Sequence, residues 1–144
     1  FWDCLDHYFQ NGRIICIDRV RGEIVQNQDA LTTWVRSLQR SHFRSSQDPA
    51  VQSAYGNLMN WASSRNNPSY TQAALSDFAS NADAWDVAHA VCDPTLVVVT
   101  QEVRNDGVRR RVVIPNACAE NGVSCINMTD MLRRLGATFR WDGP

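Results

Sequence analysis

Lysine is absent from this sequence: all 14 basic side chains are arginines. That excludes a Walker-type phosphate loop, whose Lys reaches the β- and γ-phosphates. It also excludes Schiff-base catalysis, which needs a primary amine. Phosphoacceptor domains of the response-regulator kind set a Lys beside their acidic cluster, so they lose ground too. Paired cysteines are missing as well. The five Cys, at 4, 16, 92, 118 and 125, include no C-x-x-C pair and are odd in number. This argues against a zinc site and against a disulfide framework. Cys16, Cys92 and Cys125 lie among apolar neighbours, as buried free thiols do, and a reducing cytoplasm is the simplest setting. No apolar run approaches the roughly 20 residues of a membrane helix, and no signal-peptide pattern is visible. With 15 acidic residues against 14 basic ones the net charge is −1. No global field would then hold nucleic acid, and any such binding needs a local patch.

What is present is an ordinary globular composition, 44% hydrophobic and 20% charged over 144 residues. That is enough for one domain with a proper core, spanning 1–144, and not comfortably for two. The first twelve residues, FWDCLDHYFQNG, repeat apolar side chains at 1, 5 and 9 and predict a helix stopped by Gly12. No capping residue precedes Phe1, which predicts that an N-terminal segment is missing ahead of it.

Short apolar runs at 13–17, 96–100 and 123–127 predict strands. LVVV, at 96–99, is all apolar, as expected of a parallel-sheet strand buried on both faces. Helices are predicted after Asp18 and Asp29, from Asp48-Pro49, over about 69–79, around Asp83, from Pro115 to near Gly122, and over 128–135 with Gly136 as the stop. Residues 41–47 read as a loop or short edge strand. VRNDGVRRRVVI reads as a hairpin around Asn105-Asp106-Gly107. Strands separated by helices imply an α/β domain with a mainly parallel sheet. Three core strands are few for such a sheet, and a missing first strand accounts for the shortfall.

Ligands of open α/β sheets bind beyond the carboxyl ends of the strands. Glu23 lies on the helix after strand 13–17. Glu102 follows LVVVT, and Thr100 and Glu102 point the same way in extended chain. Asp83 and Asp86 share one face of the helix that leads into that strand. Each acid also has a structural reading. Asp83 completes a Ser80-x-x-Asp83 capping box, and the others fit solvated helix or loop positions. Clustered carboxylates resist ionising together, and a divalent cation removes that cost. Mg²⁺ takes one or two carboxylates and leaves room for water and phosphate.

GRIICIDRVRGEI, FASNADAWDVAHA, LVVVTQE and IPNACAENGVSCINMTDMLRRLG together resemble the PIN-domain superfamily. They are closest to a bacterial PIN-like subfamily catalogued mainly as a domain of unknown function. The resemblance covers nearly the whole chain. It implies a three-layer α/β/α, Rossmann-like fold around a mainly parallel sheet, and a Mg²⁺- or Mn²⁺-dependent ribonuclease. Many members are toxins of toxin–antitoxin pairs, so an antitoxin protein and a homodimer are implied as partners beside the RNA substrate. By position, the metal-binding and catalytic acids fall on Glu23, Asp83 and Glu102, and Thr100 matches the small polar residue beside the last. Asp86 falls where the family has an apolar residue, so it is an auxiliary metal ligand or an outward-facing substitution. The family's first Asp, at the end of an N-terminal strand, has no match; Asp3 and Asp6 lie on the following helix. The last acid is Glu where the superfamily more often has Asp.

VRRR at 108–111 offers phosphate contacts from Arg109 and Arg111, since arginine pairs bidentately with phosphate. The competing reading is an exposed edge strand guarded by charge. His89 is turned away from Asp86 and reads as packing or solvent contact. The Trp residues read as core without a stacking platform. No Ser or Cys has a convincing His partner, so no protein nucleophile is evident. The rival to a nuclease is a catalytically inert PIN-like domain that binds RNA or protein. A further rival is an unrelated α/β domain whose acids serve only as caps.

Overall fold

The computed structural model describes residues 2–138. Phe1, the first position of the apolar repeat, lies outside them, as does the end of the predicted domain from 139 to 144. The order of elements is α1 (Trp2–Gln10), β1 (Cys16–Ile17), α2 (Asp18–Ile24), α3 (Ala30–Ser37), a 3-10 turn (Arg40–His42), β2 (Phe43–Arg44), α4 (Pro49–Ser64), α5 (Gln72–Ser80), α6 (Asp83–Cys92), β3 (Val98–Val99), α7 (Ile114–Glu120), β4 (Cys125–Ile126) and α8 (Met128–Leu135). The domain is therefore mixed α/β, and its strand pairs are parallel: β1 with β2 and β3 with β4.

The helix signals were well placed. Asp29 accepts from Thr32 N at 2.8 Å, and Asp48 accepts from Ala50 N at 2.8 Å with Pro49 opening the helix. Gly12 and Gly136 end α1 and α8 with φ of +66° and +75°. At Gly136 a Cβ would meet nothing within 4 Å. Gly136→Ala should therefore cost only the backbone strain of a left-handed residue, about 1 kcal/mol, read as a shift in the urea midpoint. A larger loss would mean the space is needed.

The strand expectations need correction. Each predicted strand shrinks to two residues, and a fourth, β2, comes from 41–47. LVVV is not buried on both faces. Val98 is 8% exposed, but Val97 and Val99 are 36% and 40% exposed. Val97 and Val99 line an open cleft instead of packing into the core, while Val98 N donates to Ser124 O and Thr100 N to Ile126 O on the β4 side. The hairpin is also absent, as is the guarded edge strand at 108–111. The Asn105–Gly107 turn forms, with Gly107 N donating to Asn105 Oδ1 at 3.1 Å. The polar backbone of its arms is captured elsewhere. Asn116 bonds both Asn105 N and Asn105 O at 2.9 Å, Arg65 donates to Val108 O and Asp106 O, and Thr71 N donates to Arg109 O. The side chains of Asn116 and Arg65 and the backbone N–H of Thr71 take these groups in place of a ladder.

The core is built around α6. Ala84, Val87 and Ala88 are completely buried there and pack chiefly against α4, whose Leu58 is also completely buried. Small alanines let the two helices approach closely, and β3, α5 and α7 close the same cluster. A second cluster joins α1, α3 and β2 through Phe9, Trp34 and Phe43. Asp18 ties β1 to this side: it accepts from both Ser46 N (3.0 Å) and Ser46 Oγ (2.5 Å). Asp18 is thus no cap for α2; its carboxylate is spent on the loop after β2. Cys92, expected to be buried, is exposed at the end of α6, and Cys16 and Cys125 are half-buried. Among the described residues no helix is long and apolar enough to cross a membrane.

Candidate functional site

The start of α6 is not capped by its own neighbours. Ala82 is the N-cap and makes no side-chain cap bond. The Ser80–Asp83 capping box is absent, because Ser80 Oγ donates back to Ser76 O and Asp77 O within α5. The cap arrives from far along the chain: Glu23 Oε1, near the end of α2, accepts from Ala82 N at 2.7 Å. An acid at a helix N-terminus satisfies an orphan N–H and favours the helix dipole. This contact fixes the site, because it holds α2 against the head of α6. Glu23→Ala should be about 1 kcal/mol less stable than Glu23→Gln, which keeps an acceptor at the same reach. Both variants lose the charge, so their difference in urea midpoint isolates the bond. Equal midpoints would remove the cap.

Glu23 thereby joins Asp83 and Asp86. Asp83 is half-buried, and its carboxyl is pushed up, first by desolvation and then by Glu23, with Arg111 pulling the other way. Asp86 is pushed up to about 7, first by desolvation, then by Asp83 and by Glu23. Asp86 is therefore not an outward-facing substitution; it faces inward, near enough to raise the Cys16 thiol on β1. Three acids thus crowd one place, and two of them resist ionising.

The fourth acid is linked to Asp83 only through an arginine. Glu102 pairs with Arg111 and accepts from Ile114 N at 2.6 Å, at the first residue of α7. Thr100 Oγ1 accepts from Glu102 N at 3.1 Å and sets the turn after β3. Arg111 acts on Asp83 as well as on Glu102. Arg109 goes elsewhere, donating to Ser69 O at 3.2 Å. The two arginines assigned to phosphate are thus engaged with different partners, Arg109 with Ser69 O and Arg111 with Glu102.

Among the described residues, no group of three or more His, Cys, Asp or Glu side chains is placed to hold a metal. The physical reason lies in the bonds above: Glu23 is engaged by Ala82, and Glu102 by Arg111 and Ile114. Among the described residues, the side chains of Asp83 and Asp86 make no hydrogen bond or ion pair.

Of the two readings of His89, the structure shows packing: it is 5% exposed, and its Nε2 has no hydrogen-bond partner. One feature escaped the sequence reading: a stack lies on the same helix as the acids. Tyr55 and Trp85 are parallel, with centroids 4.0 Å apart, and Arg19 lies 4.6 Å from the Trp85 centroid. Trp85 stands between Asp83 and Asp86 in sequence, and Tyr55 lies on α4, the helix α6 packs against most; Tyr55 is spaced with the apolar face of α4, but nothing in the spacing pairs it with Trp85.

Residues 1–139 match a family described as Domain of unknown function (DUF4411). The chain belongs to that family. No curated protein and no solved structure matches it. The DUF4411 match covers every acid of the site, from Glu23 to Glu102.

Proposed function

We propose that this DUF4411 domain is a divalent-metal-dependent ribonuclease of the PIN-like kind, with the three-layer α/β/α arrangement the resemblance implies. One observation carries the reading: Glu23, Asp83 and Asp86 converge at the head of α6, and both aspartates are held above the ordinary carboxylate range. Three acids gathered without a compensating cation are costly. A structural role for Asp83 and Asp86 would supply side-chain partners, and among the described residues their carboxylates have none.

The donor set fits a hard cation. Mg²⁺ or Mn²⁺ needs only one or two carboxylates from the protein. Asp83 and Asp86 are the pair free to supply them, with Glu23 beside them and Glu102 across Arg111. When bound, such an ion lowers the pKa of water and stabilises the leaving oxygen of a phosphodiester. The chain's own residues do the rest. Glu23 positions the aspartates by holding α2 against α6. Thr100 and Ile114 N orient Glu102. Arg111, exposed and already beside the acids, can turn from Glu102 to an RNA phosphate, which competes for the same guanidinium fork. Within this reading the domain acts as the toxin of a toxin–antitoxin pair, and an antitoxin protein and a second copy are its partners.

The test is a cleavage assay on single-stranded RNA with Mn²⁺, with Mg²⁺ and with EDTA. Cutting in either metal that stops in EDTA is expected; cutting that persists in EDTA would sink the proposal. A second reading has its own observation: Glu23 and Glu102 are already satisfied within the protein, as in an inert PIN-like domain that binds RNA or protein. RNA binding without cleavage in either metal would select it.

A further inference from the structure

One face of the Trp85 ring is fixed, and the other is covered by a single exposed side chain. Tyr55 lies parallel to the indole, with centroids 4.0 Å apart and 12° between the planes. Its hydroxyl donates to Ala79 O at 2.8 Å, so the end of α5 pins it. A ring that close fills one face, and the Arg19 guanidinium, 4.6 Å from the Trp85 centroid, lies over the other. Arg19 is exposed, and its side chain makes no hydrogen bond or ion pair with a described residue.

The same arginine lines a cavity of about 240 Å³ between α2 and the head of α6. Arg19, Gly22 and Glu23 form its α2 wall, on one face of that helix, and Asn81 and Ala82 stand opposite. Gly22 is inside α2, where glycine is among the poorest helix formers. A Cβ there would meet nothing within 4 Å, so no packing within the chain requires glycine. What the missing side chain preserves is the cavity. Asn81 is exposed, and its amide, a donor and an acceptor, bonds to no described residue. Glu23 ties this cavity to the acids, because it accepts from Ala82 N and Asp83 is the next residue.

The geometry points to a base-stacking subsite: one unpaired base of a single-stranded RNA enters this cavity and lies on the Trp85 face that Arg19 covers, with Arg19 lifting to admit it and closing over it. The inference rests on the proposed action on RNA and adds how the strand is held beside the acids. Stacking strengths favour the exchange. A base on an aromatic ring is held more strongly than an exposed guanidinium over one. Arg19 keeps a partner, because guanidinium planes also stack on bases. Pinned by Tyr55, the platform needs no ordering when the base arrives. The cavity is smaller than the roughly 300–1,000 Å³ of drug-sized sites, which suits a single ring system. A free phosphate would meet the Glu23 carboxylate, and an aliphatic chain would leave Asn81 without a partner. A base has both a π-face for Trp85 and a polar edge for Asn81.

The experiment titrates the full chain into two fluorescein-labelled RNA nonamers in EDTA and reads anisotropy. One strand is all adenosine and the other is abasic throughout. Both carry the same charge, so the acids repel them alike and the ratio of affinities isolates the bases. The adenosine strand should bind about tenfold tighter or more. Gly22→Leu places a side chain in the cavity and should erase that preference. Its urea midpoint should hold or rise, since leucine is the better helix former, so a folding defect cannot imitate the result. Trp85→Leu should erase the preference as well. Equal affinities for the two strands, or a preference that Gly22→Leu retains, overturns the inference and leaves Arg19 a latch between α2 and α6. So does no binding of either strand up to about 1 mM. Cleavage is scored separately with Mn²⁺ and Mg²⁺: a chain that cuts both ways without a base preference loses only the subsite, and one that prefers the adenosine strand without cutting loses only the nuclease.

Discussion

Asp86→Asn raises the stability of this chain at pH 8, by up to about 4 kcal/mol, and leaves it nearly unchanged at pH 4. The size follows from the shift: burial, then Asp83, then Glu23 lift the carboxyl from 3.8 to about 7, and each unit is about 1.4 kcal/mol. The sign follows from proton counting. Below pH 4 both folded and unfolded chains hold the proton, so Asp86 contributes no difference. As pH rises from 4 to 7 the unfolded chain releases it while the folded chain retains it. Stability then falls with pH until the folded group itself ionises near 7, and the loss is complete above that. An amide carries no such burden. Urea midpoints of parent and variant at pH 4, 5, 6, 7 and 8 should diverge steadily and then run parallel. Curves that stay parallel throughout would place Asp86 in solvent.

The same residue shows what the sequence could and could not carry. Asp83 and Asp86 are three apart, and helical spacing alone puts them on one face. Whether that face looks in or out depends on what packs against it, and Asp86 looked like an outward substitution because its position suits an apolar side chain. It does suit one: Asp86 lies among Cys16, Ile17 and Val97 and is held close to neutral by them and by its neighbours. The helices were legible because their caps and stops are local, as at Asp29, Asp48 and Gly136. The Glu23 cap was not, since its partner, Ala82, lies 59 residues away. Strand identity was legible from apolar runs, but strand length was not, because it depends on how many residues stay in register with a distant partner, and here each pair holds over two residues. The 103–114 segment misled for a related reason. An Asn-Asp-Gly turn flanked by valines signals a hairpin, and nothing in its spacing reveals that Asn116, Arg65 and Thr71 take up its backbone groups first.

Asp83→Asn is the change that separates a functional acid from a helix cap. If Asp83 only favoured the α6 dipole, losing its charge would cost about 0.3–1 kcal/mol. The structure argues for the opposite sign. Desolvation and Glu23 already hold this carboxyl above its ordinary range. Neutralising it relieves Glu23 and Asp86 together, so the variant should match or exceed the parent in urea midpoint at pH 8. Metal binding should go the other way. Saturating Mn²⁺ at about 100 times its Kd adds roughly 2.7 kcal/mol to the parent, and the variant should lose that gain. RNA cleavage should fall by at least about a hundredfold, since even the outer partners of metal ligands cost 10–100-fold when removed. A variant that is stabler, blind to Mn²⁺ and inactive has lost a group the fold does not need. Unchanged cleavage with lowered stability would return Asp83 to the role of a cap. Asp83→Asn therefore puts the two readings on opposite sides of zero.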